Sequence, residues 1–253
     1  MRVGAMNNPH NDPVEEVRLF KEYGLDYVEL TIEATRSYVS EVLSSRDELL
    51  GFGLPFTGHM PWCFQFASPY GKVRRAFVEE SLDVISAAAE FGIEIMTVHP
   101  DFLKLRRKME DIVSLTSESL TVLCDAARSH GIRICFENFE RQHMSTDELQ
   151  SLFELVPGLG FTLDVGHAVM GAGNIDHART LIQKFTDRLM NVHLHDNFGE
   201  RDDHLPLGVG TIDYRGVVDE LKSVGYDGGI TLEVHSEDRD YIKISRDKLS
   251  KLL

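Results

Sequence analysis

The chain has 253 residues, 42% of them hydrophobic, and a formal charge of −15 from 41 acidic and 26 basic residues. That composition excludes a disordered chain, because there is enough apolar surface to build a core. The negative charge disfavours a polyanionic partner, whose binding rests on neutralising phosphates with Lys and Arg.

The opening residues, MRVGAMNNPHND, lack the apolar run of about 7–15 residues that marks a secretory signal. No later stretch approaches the roughly 18 residues needed to span a membrane, so a cytoplasmic protein without a membrane segment is expected. From there, short β-rich apolar runs alternate with longer amphipathic stretches. The runs are residues 2–6, 27–30, 55–60, 95–99, 132–138, 160–164, 190–195 and 230–234. Asp12-Pro13 opens the first helical stretch with proline at its first position, and Tyr23-Gly24-Leu25-Asp26 closes it with a glycine before the second run. The same helix-glycine-strand exit recurs at Phe91-Gly92-Ile93, His130-Gly131-Ile132 and Val224-Gly225-Tyr226-Asp227. Ser145-Thr146-Asp147-Glu148 carries a capping-box signature. Eight βα pairs predict one (β/α)8 TIM barrel over residues 1–253 as a single domain, near the usual ~250-residue size. A doubly wound open sheet is the alternative, but Gly4-Ala5-Met6-Asn7 offers no glycine-rich phosphate loop after the first strand. Three cysteines, Cys63, Cys124 and Cys135, are odd in number and form no C-x-x-C pair, so buried thiols are expected.

In such barrels the C-terminal ends of the strands build the site. The third run ends at His59, the fourth at His99 and the fifth at Glu137. The sixth ends at Asp164, with His167 just beyond, the seventh at His193 and His195, and the eighth at Glu233. Asp202 and His204 follow the seventh, and with His235 seven of the eleven histidines lie at or beyond a strand end. Taken singly, each histidine reads as hydrogen-bonded to a neighbouring backbone. Jointly, several carboxylates in one cavity would repel each other and raise their pKa values unless a divalent ion were bound. Imidazole and carboxylate without thiolate suit Zn, Mn, Co or Fe, and the set Glu137, Asp164, His193 and Glu233 leans toward Mn, Mg or Co. His195 and His235 stand two residues from proposed ligands, so alternation aims them into the same lumen as further contacts. Trp62, Phe64, Phe66 and Tyr70 either wall a sugar face or roof the barrel. Arg36, Lys72, Arg74, Arg75, Lys104, Arg106, Arg107, Lys108, Arg141 and Arg201 follow strands, as solvated helix starts or as a phosphate-binding rim.

The motifs Gly58-His59-Met60-Pro61-Trp62, Val98-His99-Pro100, Phe136-Glu137-Asn138, Leu163-Asp164-Val165-Gly166-His167, Val192-His193-Leu194-His195-Asp196 and Leu232-Glu233 resemble those of the xylose-isomerase-like TIM barrels. So does Asp202-Asp203-His204-Leu205-Pro206-Leu207-Gly208-Val209-Gly210, and the likeness covers nearly the whole chain. That superfamily includes endonuclease IV, inosose dehydratase and isomerase relatives, and the ketose 3-epimerases. The isomerase and epimerase branch implies one metal on Glu137, Asp164, His193 and Glu233, with His167 and Arg201 touching sugar oxygens. Glu137 and Glu233 would then move a carbon-bound proton through an enediolate. The endonuclease IV branch implies three zinc ions on nine ligands, and His59, His99, Glu137, Asp164, His167, His193, Asp202, His204 and Glu233 match all nine. Multiple metals fit phosphodiester hydrolysis. Against it stand the acidic charge, the histidine at His195 where the endonuclease has asparagine, and first βα loops too short to penetrate a groove. The expected function is therefore a metal-dependent isomerase or epimerase of a small sugar or sugar phosphate, holding one to three Zn, Mn, Co or Mg ions. His167, His195, Arg201 and Trp62 are its expected substrate contacts. The alternative is a multinuclear-zinc phosphoester hydrolase of the abasic-site endonuclease type, with nucleic acid the weaker partner. A metal-holding module without turnover is the third class. A homo-oligomer is possible.

Overall fold

The computed structural model describes residues 1–101, 107–139, 144–170 and 174–253. Eight parallel strands close a barrel in chain order, with β8 paired back to β1. They are β1 (Arg2–Met6), β2 (Tyr27–Thr31), β3 (Phe56–His59), β4 (Ile95–Val98), β5 (Arg133–Glu137), β6 (Gly160–Asp164), β7 (Leu189–Leu194) and β8 (Gly229–Leu232). Around them run α1 (Pro13–Glu22), α2 (Val39–Ser44), α3 (Arg46–Gly51), α4 (Gly71–Ala89), α5 (Met109–Ser129), α6 (Thr146–Leu155), α7 (Val165–Val169), α8 (Asp176–Lys184), α9 (Tyr214–Ser223) and α10 (Asp240–Leu249). All eight expected runs are strands. None of the described helices is long and apolar enough to cross a membrane.

The local signals act as the sequence reads. Asp12 caps α1 by accepting from the Val14 and Glu15 amides at 3.0 and 3.4 Å, ahead of Pro13. Ser145 and Glu148 form a reciprocal capping box on α6. Gly24, Gly92, Gly131 and Gly225 leave α1, α4, α5 and α9 at φ between +65° and +75°, a conformation that β-carbons disfavour.

Alternation along β2 shows how the barrel is layered. Val28 and Leu30 belong to the apolar layer under the helices, while Tyr27, Glu29 and Thr31 are equally buried on the other face. Inside the barrel the Tyr27 ring lies where Gly4 and Gly229 leave room for it, since a β-carbon there would fall 2.5 and 2.6 Å from Tyr27 atoms. The barrel is thus packed low down and polar toward the C-terminal strand ends.

Several boundaries and placements differ from expectation. Regular pairing stops at Val98, Leu194 and Leu232, so His99, His195 and Glu233 stand one residue past their strands. The carbonyls of Pro100 and Asp196 beside them accept imidazole N–H groups. Cys124 and Cys135 are buried, but Cys63 is exposed because it lies in the turn after β3. The aromatic cluster also divides. Phe64 and Phe66 pack into the core, with Phe64 5.1 Å from Phe77, whereas Trp62 and Tyr70 are 51% and 69% exposed.

Candidate metal centre

The nine ligand-type residues singled out from the sequence converge at the C-terminal mouth of the barrel. One donor atom from each of His99, Glu137 and His167 lies within 4.8 Å of the others. The same holds for Glu137, Asp164 and His193, and for His59, His193 and Glu233. A further group joins His167, His195, Asp202 and His204, and His195 also groups with Asp164 and Glu233. These sets share members, so they form one continuous centre.

Backbone carbonyls orient most of the imidazoles. The Nδ1 atoms of His59, His99, His167, His195 and His204 lie 2.7–3.3 Å from the carbonyl oxygens of Met60, Pro100, Asn138, Asp196 and Glu233. A carbonyl can only accept, so each Nδ1 carries a hydrogen there and each Nε2 is turned inward. His59 Nε2 lies 3.5 Å from Glu137 Oε2, and His167 and His204 Nε2 lie 3.1 and 3.0 Å from Asp202 Oδ2. His195 Nε2 lies 3.3 Å from Asp202 Oδ1. His193 is reversed: its Nε2 is 2.9 Å from Glu29 Oε1, and its Nδ1 faces Glu233 Oε1 at 3.0 Å and Glu137 Oε2 at 3.7 Å.

The strand ends and loops hold the carboxylates as firmly. Asn138 clips the end of β6 to that of β5, donating to the Asp164 carbonyl at 2.9 Å and accepting from its amide at 2.8 Å. Asp164 in turn caps α7 through the His167 amide at 2.6 Å. Asp196 accepts from the Gly208 and Ile212 amides at 2.7 and 3.0 Å, which folds the loop carrying Asp202 and His204 back over the mouth.

The electrostatics are those of a cluster short of positive charge. Burial alone would push the Glu137 carboxyl up, but His99, His167 and His193 hold it well below the usual range. Burial pushes His99 down to about 4, so it lends Glu137 its charge only in acid and is neutral near pH 7 with its lone pair available. Burial opposes protonation of His204, yet the Asp202 carboxylate holds it up at about 9. Four buried atoms, Glu137 Oε2, Asp164 Oδ2, His193 Nδ1 and His195 Nε2, make no hydrogen bond. Buried polar atoms are rarely left so. Glu137, Asp164 and His193, each with an orphaned atom, also form one of the close donor groups, which fits a divalent cation, and this donor set suits Zn, Mn, Co or Mg.

A cavity of about 490 Å³ opens above the centre, lined by His59, His99, Glu137, His167, Asp202, His204 and Glu233. Asn7, Glu33, Trp62 and His235 also line it. His235 stacks on His204 at 3.9 Å and His204 on His195 at 4.1 Å. No Lys or Arg lines this cavity among the described residues. Arg201 does not reach it: its side chain is 83% exposed and pairs with Asp203 at 3.5 Å. Arg36 and Arg74 are engaged outside by Asp12 and Glu118, and Arg107 by the Ala67 carbonyl. Lys72 and Arg75 are exposed on α4, and Lys108 precedes α5. Lys104, Arg106 and Arg141 lie outside the described residues.

Two residues of the region are not found by reading strand ends. Glu33 lies in the loop after β2, lines the cavity and accepts from the Trp62 amide at 3.4 Å, with burial raising its carboxyl. Glu29 lies lower, fully buried within β2. The available signal was a lone carboxylate inside the apolar run Tyr27-Val28-Glu29-Leu30.

A family model described as xylose isomerase-like TIM barrel matches residues 17–252. An uncharacterized protein of Methanocaldococcus jannaschii, MJ1311, is 29% identical over 254 residues, covering 91% of this chain and 85% of its own. The crystal structure of a D-tagatose 3-epimerase-like protein aligns with a TM-score of 0.86 at 28% identity, over 100% of this chain and 97% of that one. The IolI protein with a bound zinc atom shares the fold, with a TM-score of 0.82 at 18% identity over 100% and 98% of the two chains.

Proposed function

The chain belongs to the xylose isomerase-like TIM barrel family, and from that footing we propose that it is a divalent-metal-dependent isomerase or epimerase of a neutral sugar. The observation that carries this reading is the pair of buried carboxylates, Glu137 and Glu233, 3.7 and 3.0 Å from His193 Nδ1 and both lining a monosaccharide-sized cavity with no described basic residue in its lining. With no Lys or Arg among the described lining residues to meet a phosphate, a neutral polyol suits the cavity better than a sugar phosphate. The likeness to a D-tagatose 3-epimerase-like protein supports a sugar substrate.

In this reading Glu137, Asp164, His193 and Glu233 hold the ion. A divalent ion there supplies positive charge beside the carbonyl and neighbouring hydroxyl of a ketose, easing the build-up of negative charge on those oxygens. Each glutamate has two carboxylate oxygens, so each could help to hold the ion and still exchange a proton with carbon. Glu137 and Glu233 act as the acid–base pair, one removing the proton and the other returning it. Trp62 offers an apolar wall to the sugar ring, and His167 and His195 donate to or accept from its hydroxyls. The test is deuterium incorporation at carbon when the metal-loaded enzyme meets a panel of ketoses in deuterated water. Exchange should appear with one class of ketose and fall by about 10²–10⁴-fold in Glu137→Gln. Absence of exchange across the panel would overturn the proposal.

One observation favours a second reading. His59, His99, His167, Asp202 and His204 exceed what a single ion needs, and they converge in sets that suit two or three. A multinuclear phosphoester hydrolase would use them to generate hydroxide and steady the leaving oxygen. Elemental mass spectrometry of zinc-saturated, desalted protein separates the two. Three ions per chain, with loss of at least one in His99→Ala, together with cleavage of an abasic oligonucleotide, would establish the hydrolase. One ion per chain would rule it out.

A further inference from the structure

Glu29 sits in the middle of β2, fully buried and below the cavity, where an ionised carboxylate is costly unless fully paired. It is fully paired. Oε1 accepts from His193 Nε2 at 2.9 Å, and Oε2 accepts from Asn191 Nδ2 at 2.8 Å and from the Thr231 hydroxyl at 2.6 Å. Thr231 has spent its only hydrogen on that bond, so at 2.8 Å it accepts from the Tyr27 hydroxyl. The chain of donors therefore runs one way, inward onto Glu29. Asn191 and His193 are alternate residues of β7, and Thr231 is the register partner of His193 on β8. The network thus ties β2 to β7 and β8 through the barrel interior.

Its consequence lies in which nitrogen His193 shows to the centre. Five other imidazoles of the centre are set by backbone carbonyls at Nδ1 and present Nε2. His193 presents Nδ1, which is buried without a hydrogen bond, and among the described residues the group fixing its other nitrogen is Glu29. We propose that Glu29 is a positioning residue that holds the hydrogen of His193 on Nε2 and so makes Nδ1 the ligand atom at the central metal position. This rests on the reading of His193 as a metal ligand.

Glu29→Gln cannot satisfy both sides of the network. Asn191 Nδ2 and the Thr231 hydroxyl both donate toward one oxygen, so the amide oxygen turns to them and the amide nitrogen turns to His193. That nitrogen donates to Nε2, moving the ring hydrogen onto Nδ1, where it opposes a cation. The experiment uses the full chain labelled with ¹⁵N-histidine and loaded with zinc. Long-range ¹H–¹⁵N correlation, with His193 identified from its absence in His193→Gln, reports the tautomer, and competition with a chromophoric chelator reports affinity. In the wild type, His193 is expected to be protonated at Nε2 and zinc-bound at Nδ1. In Glu29→Gln the tightest zinc site should weaken by about 10–100-fold, with the other histidine signals in place.

A merely structural Glu29 would lower Tm in the variant while leaving zinc affinity and Nδ1 ligation unchanged, and that result overturns the proposal. Ligation of wild-type His193 through Nε2 also overturns it, and decides the matter alone should Glu29→Gln fail to fold. Unchanged zinc affinity in His193→Gln would overturn the metal reading itself. Loss in His193→Gln with none in Glu29→Gln would overturn only the role of Glu29.

Discussion

At the scale of residues, the centre is a set of side chains whose charge states depend on one another. His204 is held at about 9 by the Asp202 carboxylate despite its burial, so below pH 9 it carries a proton when no ion is present. Where His204 is one of the ligands, as the multinuclear reading requires, binding expels that proton, because a metal ligand must be neutral imidazole. The sign follows: metal affinity should rise with pH toward about 9 and fall in acid. Isothermal titration calorimetry of zinc binding at pH 7, in two buffers of different ionisation enthalpy, should show net proton release that falls in His204→Gln. Equal heats in both buffers would contradict this charge assignment. The ligand types at strand ends were readable from the sequence, because a histidine or carboxylate closing an apolar run is a local signal. Glu29 was not, since its partners Asn191, His193 and Thr231 lie 162–202 residues away in the chain. Arg201 stands apart from the cavity for a related reason. A loop cation two residues from Asp203 satisfies itself locally and points to solvent.

At the scale of elements, the barrel interior is filled by matching large and small residues on neighbouring strands. Tyr27 on β2 fills the space left by Gly4 on β1 and Gly229 on β8. Gly4→Ala would place a β-carbon 2.5 Å from the Tyr27 ring, too close for either to remain in place. Overpacking of this kind costs about 1–3 kcal/mol. For a chain of this length that corresponds to a fall in Tm of several degrees, at roughly 2–4 °C per kcal/mol. Differential scanning calorimetry checks it, and an unchanged Tm would mean that β1 yields without cost. The strands themselves were legible because alternation and the glycine exits are local. Their ends were less so. Whether His99 or Glu233 closes a strand or opens a loop depends on where the ladder to the neighbouring strand stops, and that neighbour is far away in sequence.

At the scale of the whole molecule, buried acidic groups should make stability fall in alkali. Burial, with Asp125 nearby, pushes the Cys124 thiol up to about 11 from its ordinary 9.0, and burial likewise raises Cys135 and Tyr27. Between pH 9 and 11 the unfolded chain has released the Cys124 proton while the folded chain keeps it, so folding stability falls as pH rises through that window. Tm measured from pH 8 to pH 11 should decline, and Cys124→Ala should flatten the decline. An identical slope in the variant would remove Cys124 from the account. The charge of −15 also acts at this scale, disfavouring a long polyanion.

The sequence by itself determined a closed barrel of eight βα units and which residue types stand at its C-terminal mouth. Both follow from patterns within a few residues: alternation in strands, glycine after helices, and ligand types at the point where an apolar run ends. Only the tertiary structure decided which nitrogen each histidine turns inward, which oxygens are left without partners, and that the described basic residues stand away from the cavity. Those outcomes depend on hydrogen bonds between strands that meet only when the barrel closes. His193 shows this most clearly: its residue type is read from β7, but its inward Nδ1 is set by Glu29 on β2.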